Sequence, residues 1–107
     1  MTYVESLVAL ADPTRRAIFE ALRKRPRTVG ELAASQPVSR PAVSQHLRVL
    51  ESARLVRVDP RGNRRFYSIR PEGLQELERY LNSFWSDALT AYAAEITRRK
   101  RGEKRRS

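Results

Sequence analysis

The feature that most constrains this chain is a change of hydrophobic period in its middle. Up to Leu50 apolar residues recur three or four positions apart, and from Leu55 they alternate. Leu55-Val56-Arg57-Val58-Asp59 and Arg65-Phe66-Tyr67-Ser68-Ile69 are β-rich runs, and Pro60-Arg61-Gly62-Asn63 between them is a turn cluster. Two such runs around such a turn predict a hairpin. Helical spacing returns at Pro71, where Leu74, Leu77, Leu81, Phe84, Trp85, Ala88, Leu89, Tyr92 and Ile96 mark about six turns. With 107 residues, 40% of them apolar, there is material for one modest core and not for two. The predicted class is mainly α with a small β-hairpin.

Upstream of the hairpin, the helix signals are chemical as well as periodic. Residues 3 to 11 have Val4, Leu7, Val8 and Ala11 at helical spacing. Asp12 is then a good N-cap and Pro13 suits the first helical position, so a second helix is predicted to run to about Lys24, before Pro26. Thr28 and Glu31 have capping-box spacing at the start of a short third helix. Ser35-Gln36-Pro37-Val38 breaks it, and Ser39 caps a fourth helix that ends near Ser52, with Pro41 tolerated in its first turn.

A short helix, a three- or four-residue turn and a second helix form a helix-turn-helix, and the hairpin behind it is a wing. A major groove about 12 Å wide admits one α-helix. Val43, Leu47 and Leu50 would hold the fourth helix to the core, leaving Arg40, Pro41, Ser44, Gln45 and Arg48 outward. Arg pairs with guanine, Gln with adenine and Ser with either. Thr28 and Ser39 sit at helix starts, where backbone N–H groups hold phosphate. On the wing, Arg61, Asn63 and Arg64 surround Gly62 and suit phosphates or a minor groove, with Arg65 beside them. The plainer reading of the wing is a charged hairpin that resists edge aggregation.

Charge points the same way. The formal net charge is +10, from 22 Lys+Arg against 12 Asp+Glu. Residues 98–107 alone carry seven Lys/Arg and one Glu, so the rest of the chain keeps a net +4 of its own. Nucleic acid is the commonest partner of such a chain, and an anionic membrane surface is the competing one. The basic stretch 98–107 reads as a disordered tail behind a domain spanning 1–97, serving either as an extra DNA arm or as a solubilising extension. There are no cysteines, hence no disulfide or thiolate site, and no apolar run of membrane-spanning length or leader-like N-terminus is seen. The expected setting is the cytoplasm, without membrane attachment.

The segments ALADPTRRAIFEALRKRPRTVGELA and VSRPAVSQHLRVLESARLVRVDPRGNRRFYSI resemble the ArsR/SmtB family of winged-helix repressors. The resemblance covers about residues 5–82, with ADPTRR and SRPAVSQHLRVL its most specific parts. It implies a homodimeric repressor of a palindromic operator on double-stranded DNA. It places Ser39, Arg40, Ser44, Gln45 and Arg48 at DNA-reading positions and the first and last helices at the dimer interface. There the apolar residues are Val4, Leu7 and Val8 on the first helix and Leu81, Phe84, Trp85, Ala88, Leu89 and Tyr92 on the last. The family's usual Gly before the first strand is Arg54 here. Many relatives bind metal through Cys pairs or through His and carboxylates. This sequence has no Cys and a single His, His46, so it is similar to the metal-independent branch, with no metal site and no cofactor. Some members of that branch repress their own promoters or are released by protein partners. No residue here identifies a protein or small-molecule inducer.

Other readings stay open. His46 suits packing, a DNA contact or a pH switch better than a metal. The stripe of Tyr80, Phe84, Trp85 and Tyr92 suits core and interface better than a ligand pocket. Asp12 is placed to pair with Arg15 or Arg16. No Ser/His/Asp set, carboxylate cleft or phosphate-cradling Gly loop is visible, so no enzyme is expected. Competing with the repressor are a non-specific nucleic-acid binder driven by charge and a winged helix that binds protein. The polar set Arg40, Ser44 and Gln45 argues against the first, and the Arg-rich face against the second.

Overall fold

Three of the helices begin where a capping side chain satisfies an open N–H group of the first turn. In the computed structural model, which describes residues 3–106, α1 spans Tyr3–Ala11 and α2 Pro13–Ala21. They are followed by α3, Val29–Ser35, and α4, Arg40–Ser52. The Asp12 carboxylate accepts the Arg15 N–H at 2.9 Å to start α2. Thr28 Oγ1 accepts the Glu31 N–H at 3.2 Å, and the Glu31 carboxylate accepts the Thr28 N–H at 3.0 Å, completing the capping box of α3. Ser39 Oγ accepts the Ala42 N–H at 3.3 Å at the head of α4. Arg15 and Arg16 do not bridge to Asp12 with their guanidinium groups. They donate instead to the carbonyls of Ala9 and Leu10, at 3.2 and 2.9 Å, which closes the open C-terminal end of α1. The second helix stops three residues before the predicted Lys24. Leu22 and Arg23 donate to Phe19 and Glu20, three residues back, and this tighter turn ends the α-helical ladder.

The hairpin is longer and its turn shorter than the sequence indicates. β1, Val56–Arg61, pairs antiparallel with β2, Arg64–Ile69, from Val56↔Ile69 to Arg61↔Arg64. Only Gly62 and Asn63 remain in the turn, and Gly62 takes φ +64°, open to glycine without steric cost. Pro60 therefore lies inside β1, opposite Arg65. Pairs alternate between hydrogen-bonded and open along an antiparallel ladder, and Arg61↔Arg64 closes the turn, so Pro60 falls at an open pair where its missing N–H costs nothing. Arg27 extends this sheet by one bridge: its N–H donates to the Tyr67 carbonyl at 2.9 Å and accepts at its own carbonyl the Tyr67 N–H at 2.8 Å. The wing is thereby fastened to the residue preceding the α3 cap.

The core lies within residues 1–77, the larger of two compact units. Ile18, Leu32, Val43, Leu47, Leu50 and Leu55 are each 0% exposed, so α2, α3, α4 and the start of the hairpin share one apolar interior. A fully buried side chain of this size contributes roughly 1.5–3 kcal/mol over leaving it in water.

The corner between α4 and the hairpin resolves the Arg54 question. Arg54 adopts φ 61°, the left-handed conformation that usually requires glycine. Its N–H donates to the Glu51 carbonyl and the Leu55 N–H to the Leu50 carbonyl, both at 3.0 Å, the two bonds of a Schellman motif. The first turn of the last helix, α5 (Pro71–Arg106), closes on this corner. A Cβ on buried Gly73 would stand 2.1 Å from the Arg54 carbonyl oxygen.

A second compact unit begins at Glu78. Its helix continues to Arg106, so residues 98–106 are helical rather than a disordered tail. Glu95 supports the extension by pairing with Arg98 and with Arg99, one turn on. No described helix is long and apolar enough to cross a membrane.

Two stability predictions follow from this geometry. Arg54→Gly should raise unfolding free energy by about 1 kcal/mol by relieving the left-handed residue, whereas Gly73→Ala should lower it by roughly 1–3 kcal/mol through overpacking; urea midpoints of both variants check the pair. The second concerns pH. The Arg15 N–H holds the Asp12 carboxyl below its ordinary value, and the Thr28 N–H does the same for Glu31. Groups with a depressed folded-state pKa stabilise above the unfolded value and lose that contribution as pH falls through the folded one. The melting temperature should therefore fall as pH drops below the ordinary carboxylate range. An Asp12→Asn/Glu31→Gln variant should show a shallower fall in the same titration.

Candidate nucleic-acid interface

α4 has two faces of opposite chemistry. At about 100° per residue, Arg40, Pro41, Ser44, Gln45 and Arg48 fall within an arc of roughly 140°, outside the arc of Val43, Leu47 and Leu50. Arg40, Pro41, Gln45 and Arg48 are exposed and Ser44 is half-buried, as a short side chain at the foot of a reading face would be. None of the three buried side chains leaves freedom to roll the helix, so this outward set is presented in one orientation.

The wing and the start of α3 come together beside it. Thr28, Val29, Gly30, Arg40, Arg64 and Arg65 line a cleft of about 300 Å³. The Arg40 guanidinium lies beside Gly30, its Nη2 3.1 Å from where a Cβ would be, so a larger residue there would make it shift. Arg40, Arg64 and Arg65 thus border one cleft whose lining includes no carboxylate. Glu31, the nearest acid in sequence, is turned to Arg25 at 3.1 Å. Such an arrangement repels itself and attracts an anion. Arg65 is the residue that sequence spacing underweighted. Its place depends on hairpin register and on the Arg27–Tyr67 bridge, neither of which is readable from composition.

Other sequence-predicted residues separate by partner. Arg61 donates through Nε to Asp59 at 3.0 Å, and its guanidinium covers the Phe66 ring at 5.1 Å, so it is engaged on the wing's own surface. Asn63 and Arg64 are exposed at the tip. The Thr28 and Ser39 hydroxyls are occupied as helix caps, which commits their side chains to structure. His46 lies off the outward arc, half-buried, with Nδ1 buried and unpartnered. A half-buried place beside the core face of α4 suits packing. No group of three His, Cys, Asp or Glu side chains is gathered as a metal site among the described residues.

The apolar residues assigned to an interface are uncovered. On α1, Val4, Leu7 and Val8 are 56%, 41% and 65% exposed. In the second unit Leu81, Phe84, Trp85, Ala88, Leu89 and Tyr92 are all exposed, on a helix with no core of its own. Large exposed apolar stripes of this kind mark interaction surfaces.

Comparison with known proteins agrees with this geometry. A helix-turn-helix domain model matches residues 10–59. The HTH-type transcriptional regulator Rv2034 of Mycobacterium tuberculosis is 60% identical over 85 residues, 79% of each chain. The transcriptional repressor SdpR of Bacillus subtilis is 32% identical over 71% of this chain and 84% of its own. A homodimeric winged helix-turn-helix DNA-binding domain from Mycobacterium bovis superposes with a TM-score of 0.64 at 25% identity, covering 78% of both chains. The chain belongs to the ArsR/SmtB family of winged helix-turn-helix transcriptional regulators.

Proposed function

We propose that this chain acts as a homodimeric repressor that reads a palindromic operator, without a metal effector. The observation that carries the reading is the outward face of α4. It combines two guanidinium groups with Ser44 and Gln45, donors and acceptors suited to base edges, on a helix fixed by a fully buried opposite face. Arg40 and Arg48 read or anchor in the major groove, and the Arg40–Arg64–Arg65 cleft takes the adjoining phosphate. Asn63 and the wing tip reach a flanking minor groove.

Homodimerisation is supported by the uncovered apolar stripes and by the homodimeric state of the Mycobacterium bovis relative. A twofold pair would set two recognition helices roughly 34 Å apart, one turn of DNA. Repression is supported by the relative named as a repressor. Independence of metal is supported by a sequence with no Cys and one His, since zinc sites take about four N, S or O ligands. Nothing in the site combines a nucleophile with a base, which supports a binding rather than an enzymatic role.

Selection from a random duplex pool at about 150 mM salt, where exposed charges are screened, should return an inverted repeat with half-sites about one turn apart. Arg40→Ala and Gln45→Ala should each relax one position of that motif and weaken binding by about 1–3 kcal/mol. Arg64→Ala should weaken all sequences alike and Arg61→Ala less so, because Arg61 already has Asp59 and Phe66 as partners. Recovery of no motif would overturn the operator-reading role. In sedimentation equilibrium the chain should run at twice its 12.4 kDa mass, and Phe84→Asp/Trp85→Asp should run at one.

A further inference from the structure

The last turns of α5 carry a charge that the recognition face does not use. We infer that residues 98–106 form a second, sequence-independent contact of this chain with duplex DNA. The inference rests on the DNA-binding role proposed above and adds an element to it.

Three observations carry it. Residues 98–107 hold seven Lys/Arg and one Glu, more than half of the whole chain's net +10. This stretch is helical through Arg106 rather than a loose coil, and Arg98, Arg99, Lys100 and Arg101 are all exposed. Its composition then selects among polyanions. Residues 98–107 contain no apolar side chain at all. A helix that lies in a membrane interface needs Trp, Phe or Leu on one face, and a protein interface needs apolar or aromatic anchors at its centre. Neither is present. Five of the seven cations are Arg, whose planar fork suits phosphate oxygens better than an ammonium does.

The local charge balance agrees. Glu95 is shared by Arg98 and Arg99, and Lys100 and Arg101 have no acidic partner among the described residues. At about 100° per residue, these four consecutive cations point in four directions around the helix. No flat protein surface meets all four. A nucleic-acid groove, with phosphates on both walls, meets more of them than one flat face does.

The test compares the full chain with a variant in which Arg98, Arg99, Lys100 and Arg101 are all changed to Gln, a residue that keeps helix propensity. Binding to a 40-bp duplex of random sequence is titrated from 50 to 300 mM salt. The slope of log affinity against log salt should become shallower by about 2 to 3.5, with affinity at 100 mM falling roughly 30-fold or more. The selected motif should be unchanged. A slope within half a unit of the original would overturn the inference and leave the segment as a solvated extension. Loss of binding to vesicles containing phosphatidylserine, with the duplex slope unchanged, would overturn it in favour of a membrane. Failure of the operator-reading role is separate: it shows as absence of any selected motif with the unaltered chain, irrespective of the slope difference.

Discussion

Burial of one face of α4 is the constraint on which the rest of the structure depends. Val43, Leu47 and Leu50 enter an interior shared with Ile18, Leu32 and Leu55, and their complete exclusion from water leaves the helix one rotational setting. The polar side chains on the outward arc inherit that setting. A reading face is useful only if its donors and acceptors recur at the same place on every molecule, and here a dry core supplies the repeatability. The caps at Asp12, Thr28 and Ser39 serve the same end, because each fixes where a helix begins and hence which residues face inward.

Two backbone-level contacts bind the rest of the fold to that helix. At its C-terminal end the Schellman corner places Arg54 in the left-handed region, and Gly73 lets α5 begin against the Arg54 carbonyl. On the other side of the interface, the Arg27–Tyr67 bridge joins the wing to the start of α3. The cleft of Arg40, Arg64 and Arg65 is therefore built from three separate elements, and its charge collects where no acid offsets it. The Arg61–Asp59 pair shows the contrary case, a cation neutralised within the wing. Partner availability, more than charge alone, sorts these arginines into those that border no acid in the cleft and those already engaged.

Much of this was legible in the linear order of residues. The capping box and the N-caps appeared as predicted because they depend on groups three residues apart. The core face of α4 appeared as predicted because helical periodicity is local. Misplaced features share a different origin. The hairpin turn was read as four residues because Pro60 looks like a breaker, but register puts it where no N–H is needed. The 98–106 segment reads as a disordered charge run, yet the helix that precedes it and the Glu95 pairs carry it on.

Sequence alone determined the helix order, the hairpin, the outward set on α4 and the excess of positive charge, since all of these follow from side-chain type and spacing along the chain. Only the tertiary structure decided that Arg15 and Arg16 close α1, that Arg54 tolerates a glycine's conformation, that Gly73 is a close-contact site, and that Arg65 joins Arg40 and Arg64. The first two depend on how consecutive elements meet at a corner and the last two on which groups meet across elements distant in sequence, so approach distance and competing partners, rather than residue type, set the outcome.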